Sequence, residues 1–295
     1  MKKRIFEGSG VAIVTPFNEN GVNFAEFDRL IEFNIENETD AIIVCGTTGE
    51  SATMPDKEHV SVIEHCVKRV NGRIPVIGGT GSNDTIHGVE LSKMAAATGV
   101  DGLLCVTPYY NKATQKGLIK HYEMVANAVD VPIIPYCVPS RTGVNIAPQT
   151  AFELSKIDNI VGIKEASGDI VQAMEIRKLC GDDFSIYSGN DDINVPLMSI
   201  GAVGAISVLA NIAPKQTHDM CKACLDGDFK TAEKLQIKYL DLIKALFCEV
   251  NPIPVKAALK LMGFDTGLLR MPLTEMEDKN LEVLKAEMQK CGIIA

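Results

Sequence analysis

Along this chain the apolar residues fall in short unbroken runs, each followed by a longer stretch where they recur at helical spacing. The runs lie at 10–14, 41–45, 75–78, 102–106, 132–136, 160–163, 184–187 and 203–206. The helical patterns that follow them lie at 24–38, 56–70, 84–97, 113–128, 148–156, 169–180, 191–200 and 214–225. In the first of these, Phe27, Leu30, Ile31 and Ile35 share one face. Strands that are apolar without alternation need cover on both sides, which a parallel sheet under helices supplies. Eight such units in about 225 residues predict an α/β fold of the (β/α)8 TIM barrel class. The competing open, doubly wound sheet needs a glycine-rich phosphate turn after its first strand, and here that turn reads Thr15-Pro16-Phe17-Asn18. Beyond 228 the strand pattern stops. Helices are predicted at 229–248, 254–262 and 274–290, the last opened by a Thr274-x-x-Glu277 capping box. The expected division is a catalytic barrel over 1–227 and a C-terminal helical domain over 228–295, the latter for packing or subunit contact.

Composition narrows the function. A net charge of −9, with no basic run longer than Lys2-Lys3-Arg4, argues against a nucleic-acid partner, and that run reads as a solvated N-terminus. The segment from Met1 has no apolar stretch of a secretory leader, and no run of about 18 apolar residues exists to span a membrane. A cytoplasmic protein without a membrane partner is expected. Nine cysteines are an odd number, and Cys45, Cys105 and Cys137 fall inside strand-like runs, which suits reduced core thiols. The lone pair Cys221 and Cys224 lies in a helical pattern and reads as packing.

In a barrel of this class the chemistry sits at the C-terminal ends of the strands. The residues there are Thr15, the run Gly46-Thr47-Thr48-Gly49-Glu50, Thr80, Thr107-Pro108-Tyr109-Tyr110, Tyr136 with Ser140-Arg141 beyond, Lys164, Ser188-Gly189-Asn190 and Ile206-Ser207. Hydroxyls dominate. All five histidines fall in helical stretches, so no metal site is expected. Lys164 ends an apolar strand, where desolvation disfavours the ammonium and leaves a share of nucleophilic amine near neutral pH. That is the requirement for a Schiff-base lysine. Each residue also has a plainer reading: Lys164 paired with Glu165 or reaching to water, Tyr136 as a core cap, Thr47 and Thr48 as turn residues, Arg141 in a surface ion pair. Together at one barrel face they suit carbonyl chemistry, in which a lysine imine converts a keto acid into an enamine while hydroxyls move protons. Such a reaction needs no metal and no cofactor.

Five motifs carry a resemblance: Gly46-Thr-Thr-Gly-Glu-Ser51, Thr107-Pro-Tyr-Tyr-Asn111, Tyr136-Cys-Val-Pro-Ser-Arg-Thr-Gly143, Gly162-Ile-Lys-Glu-Ala166 and Asn251-Pro-Ile-Pro-Val-Lys256. Through nearly its whole length the chain resembles the pyruvate-dependent class I aldolases, the family of the dihydrodipicolinate synthases and N-acetylneuraminate lyases. The resemblance implies an imine between Lys164 and pyruvate, with Tyr136, Thr47 and Tyr110 as proton relay, Tyr110 entering from a neighbouring subunit. It implies pyruvate carboxylate binding by Thr48 and the backbone at Ile206, with Gly189 among the substrate-binding residues.

Arg141 selects the synthase branch, because a four-carbon aldehyde ending in a carboxylate needs a fixed cation where a sugar needs hydroxyl-binding groups. The implied reaction condenses pyruvate with L-aspartate 4-semialdehyde toward diaminopimelate and lysine. A related lyase acting on a 2-keto-3-deoxy sugar acid, or a catalytically silent binding barrel, are the competing readings. The family also implies a homotetramer, a dimer of dimers. Two departures stand out. Cys137 replaces an Asn common after the tyrosine, which alternation should turn away from the pocket. The effector site of lysine-inhibited members maps to Ser51, Ala52, His59, Asn83, His87 and Tyr109, but His87 replaces an acidic residue and Asp56 also departs from the pattern. Weak or absent lysine inhibition is expected.

Overall fold

In the computed structural model, which describes residues 2–295, the eight apolar runs are parallel strands closed into a barrel. Met1, which opens the segment read as lacking a leader, lies outside the described residues. The strands are β1 (Gly8–Ala12), β2 (Ala41–Val44), β3 (Val76–Gly79), β4 (Gly102–Val106), β5 (Ile133–Cys137), β6 (Gly162–Glu165), β7 (Ser185–Ser188) and β8 (Gly204–Ser207). Each pairs with its neighbours in chain order, and β1 pairs with both β2 and β8 to close the ring. The covering helices are α1 (Phe24–Glu36), α2 (Asp56–Val70), α3 (Thr85–Ala96), α4 (Gln115–Ala126), α5 (Pro148–Ser155), α6 (Ile170–Cys180), α7 (Asn194–Ser199) and α8 (Pro214–Leu225).

The strands are apolar on both faces because both faces are covered. In β2, Ala41 and Ile43 point into the barrel while Ile42 and Val44 pack beneath the helices. The interior is a filled core. Phe6 closes its lower end, stacked on Tyr187 at 4.5 Å, with the Tyr187 hydroxyl donating to the Phe6 carbonyl. Helix starts follow local chemistry: Asp84 accepts from the N–H groups of Ile86 and His87, and Asp169 from those of Val171 and Gln172. Gly79 ends β3 because a Cβ there would lie 2.2 Å from the Cys45 carbonyl oxygen.

Three expectations need correction. The helical pattern at 191–200 splits into a 3-10 turn, Asp191–Ile193, and α7, since Pro196 lacks an N–H and is tolerated only in a helix's first turn. The last helix starts at Asp278, so Thr274-x-x-Glu277 is not a capping box. A tertiary partner wins instead, because the Glu277 N–H and the Asn280 side chain both donate to Glu249. Nor is the basic N-terminus simply solvated, as the Lys2 ammonium donates to the carbonyls of Ile157 and Ile160.

Beyond the barrel come α9 (Phe229–Leu246), α10 (Ile253–Leu261) and α11 (Asp278–Cys291). The chain around α10 does more than pack. Thr266 and Leu268 pair through backbone bonds with Phe17, just past β1, and Asn251 and Lys256 reach the loop after β2. Among the described residues no helix is long and apolar enough to cross a membrane. Cys45, Cys66, Cys105, Cys137, Cys221 and Cys224 are buried free thiols, and burial pushes the pKa of each upward.

Candidate active site

Parallel pairing puts Val106 beside Tyr136, Tyr136 beside Lys164, and Lys164 beside Tyr187. Residues in register share a face, so Tyr136 and Lys164 both point into the mouth of the barrel. Lys164 is 6% exposed, and its Nζ lies 4.2 Å from the centre of the Tyr136 ring. Among the described residues it forms no ion pair within salt-bridge distance. Burial holds its pKa down at about 7, Asp191 opposing and Arg141 assisting. The plain pairing with Glu165 does not occur. Glu165 takes the opposite face and accepts from the Ser167 N–H at 2.7 Å and from Gln172 at 3.1 Å.

The neighbouring strand end is shaped to this amine. Gly189 donates its N–H to the Glu165 carbonyl at 2.8 Å, and a Cβ on it would meet Lys164 Cε at 2.9 Å and Ala166 Cβ at 2.7 Å. Tyr136 is buried, and burial pushes its pKa up to about 12 against the opposing influences of Arg141 and Thr47. At neutral pH its hydroxyl keeps its proton. Cys137, next along β5, turns outward, where its thiol contacts Asn145 Oδ1 at 3.0 Å.

The loop after β2 is held from several sides. Thr15 Oγ1 donates to the Gly49 carbonyl at 2.8 Å, and the Glu50 carboxylate receives Lys256 Nζ at 2.7 Å and the Arg270 N–H at 2.9 Å. Lys256 and Glu50 are both buried. Thr48, 2% exposed, accepts a hydrogen bond from Asn251 Nδ2 at 3.0 Å. Arg141 sits in the one-turn helix Pro139–Thr142 and donates to the Asn251 carbonyl at 3.5 Å. Ile206 lines the barrel interior in β8 beside Gly10, and the two N–H groups that follow it closely, of Val208 and Leu209, donate to Asp191 Oδ2.

A cavity of about 420 Å3 is lined by Thr47, Val138, Arg141 and Asn251 and continues past Ser51, Ala52, Asp56, His59, His87 and Tyr109. Most residues of the expected effector site therefore share one hollow with the active-site rim. There His87 Nε2 donates to the Asp56 carboxylate at 2.9 Å, and His59 Nε2 donates to the Gly79 carbonyl at 2.7 Å. Burial lowers the His59 pKa and keeps the ring neutral. Two expected residues are not brought in. Asn83 lies outside the cavity lining and offers its carbonyl to Asn111, and Tyr110, at φ 71°, is 90% exposed and also lies outside that lining. Asp191 and Asn251 were missed as site residues. Asn251 stood in a visible motif, but no local pattern reveals that it meets Thr48.

A closed parallel barrel with an unpaired, buried amine at its mouth defines a lyase of the imine-forming aldolase type. Residues 5–291 match the model of the Dihydrodipicolinate synthetase family. The chain is 58% identical to the 4-hydroxy-tetrahydrodipicolinate synthase of Caldicellulosiruptor saccharolyticus over 98% of both chains. It is 55% identical to that of Acetivibrio thermocellus over the full length of each. The crystal structure of dihydrodipicolinate synthase from Aquifex aeolicus superposes with a TM-score of 0.96 at 47% identity, covering 98% of this chain and 99% of that one. The chain belongs to the dihydrodipicolinate synthetase family.

Proposed function

We propose that this chain condenses pyruvate with L-aspartate 4-semialdehyde through an imine on Lys164, the 4-hydroxy-tetrahydrodipicolinate synthase reaction of the diaminopimelate and lysine route. One observation carries the assignment of the nucleophile: a lysine with no anionic partner, its pKa about 7, in van der Waals reach of a tyrosine ring at a barrel mouth. At neutral pH about half of such amines are unprotonated, against about one in 3,000 for an ordinary lysine. The amine attacks the keto carbon of pyruvate, and loss of water leaves the imine. Its electron-withdrawing nitrogen makes the methyl group acidic, and loss of that proton gives the enamine that attacks the aldehyde carbon. The imine is the electron sink, so the chemistry requires no resident cofactor and no metal.

Thr47 and Tyr136 pass protons between the reacting centre and the cavity, Tyr110 of a second copy completing the relay. Thr48 and the backbone at Ile206 hold the pyruvate carboxylate, and Gly189 leaves space for the imine. Arg141 takes the carboxylate of the aldehyde. The exposed Tyr110 supports assembly beyond a monomer, for which a homotetramer built as a dimer of dimers is the proposed form. Residues 1–227 form the catalytic domain and 228–295 the C-terminal helical one, in a cytoplasmic enzyme whose partners are these small molecules rather than nucleic acid or membrane.

Borohydride reduction with pyruvate present tests the proposal. The peptide holding Lys164 should gain the mass of reduced pyruvate, and turnover should be found with aspartate semialdehyde and not with 2-keto-3-deoxy sugar acids. Full activity in Lys164→Ala would refute the mechanism. Loss of turnover to a chelator would refute the absence of a metal.

A further inference from the structure

Asn251 touches both groups assigned to substrate carboxylates. Its side-chain Nδ2 donates to Thr48 Oγ1 at 3.0 Å, and its main-chain carbonyl accepts from Arg141 Nη2 at 3.5 Å. The residue is 5% exposed, and its Oδ1 is buried with no hydrogen-bond partner. Leaving an amide oxygen unpaired in the interior is unfavourable, so packing alone does not favour asparagine here. What the amide supplies is direction. A threonine hydroxyl has a single proton, and its orientation follows from which of its partners donates. With Asn251 donating to the oxygen, the Thr48 proton remains free for an incoming carboxylate.

We propose that Asn251, supplied by the C-terminal segment, is a positioning residue that fixes the Thr48 hydroxyl as a hydrogen-bond donor to the carboxylate of pyruvate. The inference rests on the proposed imine reaction. Asn251 itself makes no contact with the reacting atoms. Removing its amide lets the hydroxyl rotate and offer lone pairs to the carboxylate, which weakens capture of the keto acid while leaving the amine in place.

The test is borohydride trapping of the full chain titrated with pyruvate, in wild type, Asn251→Leu, Thr48→Val and the double variant, alongside thermal unfolding of each. Leucine keeps the branched shape of the side chain, with larger end groups, and removes both the donor and the unpaired oxygen. The expected result is a rise of about tenfold in the pyruvate needed for half-maximal trapping in Asn251→Leu, with no loss of thermal stability. Thr48→Val should show a similar rise, and the double variant no more than Thr48→Val alone. An unshifted Asn251→Leu, or effects that multiply in the double variant, overturns the inference, as does a trapping loss matched by a lowered unfolding temperature. Should the leucine variant not fold, Asn251→Ala is read in the same cycle. If the wild type forms no adduct, the imine reading fails and takes this inference with it, whereas a trapped wild type with an unshifted variant refutes the inference alone.

Discussion

Replacing Lys164 with methionine should stabilise the fold while abolishing imine formation. The stem of methionine occupies nearly the same path, past Gly189 and Ala166, so packing changes little. What disappears is an amine whose pKa falls from 10.5 in the unfolded chain to about 7 in the barrel. Between those values the unfolded state holds more protons than the folded one. Native stability therefore rises with pH across that window, and the penalty is complete below it. The difference amounts to about 4 kcal/mol at pH 7 and about 2 kcal/mol at pH 9, and it vanishes above the unfolded pKa. These are upper values, because any water entering the cavity lessens the desolvation. Denaturant unfolding of both proteins across this pH range, with their difference plotted, cancels the other titrating groups. A methionine variant less stable than wild type at pH 7, or a gap that stays constant as pH rises, would refute the account of the amine.

Gly189→Ala should cut trapping and turnover by about a hundredfold, since its Cβ lands on the Lys164 stem and shifts the amine, and a wild-type trapping rate would contradict this. Arg141→Ala should lower kcat/KM for the aldehyde by about 10- to 100-fold in steady-state assays while still forming the pyruvate adduct. Because Arg141 depresses the Lys164 pKa, the pH of half-maximal trapping should also move upward in that variant. Lys256→Met should destabilise by about 3–5 kcal/mol, leaving Glu50 buried and unpaired, and adding Glu50→Gln should recover most of it in chemical denaturation. Lysine below millimolar concentration should leave turnover unchanged, because the Asp56 carboxylate in this hollow is already engaged by His87.

How much of this was legible in the chain follows from the range of each interaction. The strands announce themselves because burial on both faces needs unbroken apolar runs, and Ala41–Val44 meets that need with four consecutive residues. Lys164 was legible for the same reason, a charge where the local pattern demands none. Helix ends were legible where the cap is local, as at Asp169, and misread at Thr274, where Glu249 settles the start from another helix's end. The Asn251–Thr48 bond spans 203 positions and the Lys256–Glu50 bond 206, distances over which neither periodicity nor spacing carries information. Tyr110 marks a different boundary, because its proposed role depends on a second copy that one chain's pattern does not specify.

The two buried lysines separate structural from chemical use of the same side chain. Lys256 is sealed in with Glu50 and the carbonyls of Thr15 and Leu268, so each of its protons has a partner and bonding offsets part of the burial that lowers its pKa. Lys164 is as deeply placed, yet the nearest influences on it are an aromatic face and a carboxylate, Asp191, already committed to two backbone N–H groups. Asp191 offsets only part of the cost of burial, so the amine sheds its proton near neutrality instead. The proposed nucleophile of this barrel differs from Lys256 in lacking a partner for each of its protons. A carboxylate placed within reach of Lys164, for instance by Ala166→Asp, should return its pKa toward that of an ordinary lysine and suppress trapping at pH 7 more than at pH 9. If trapping at the two pH values fell equally, loss of space and not restored charge would be the cause.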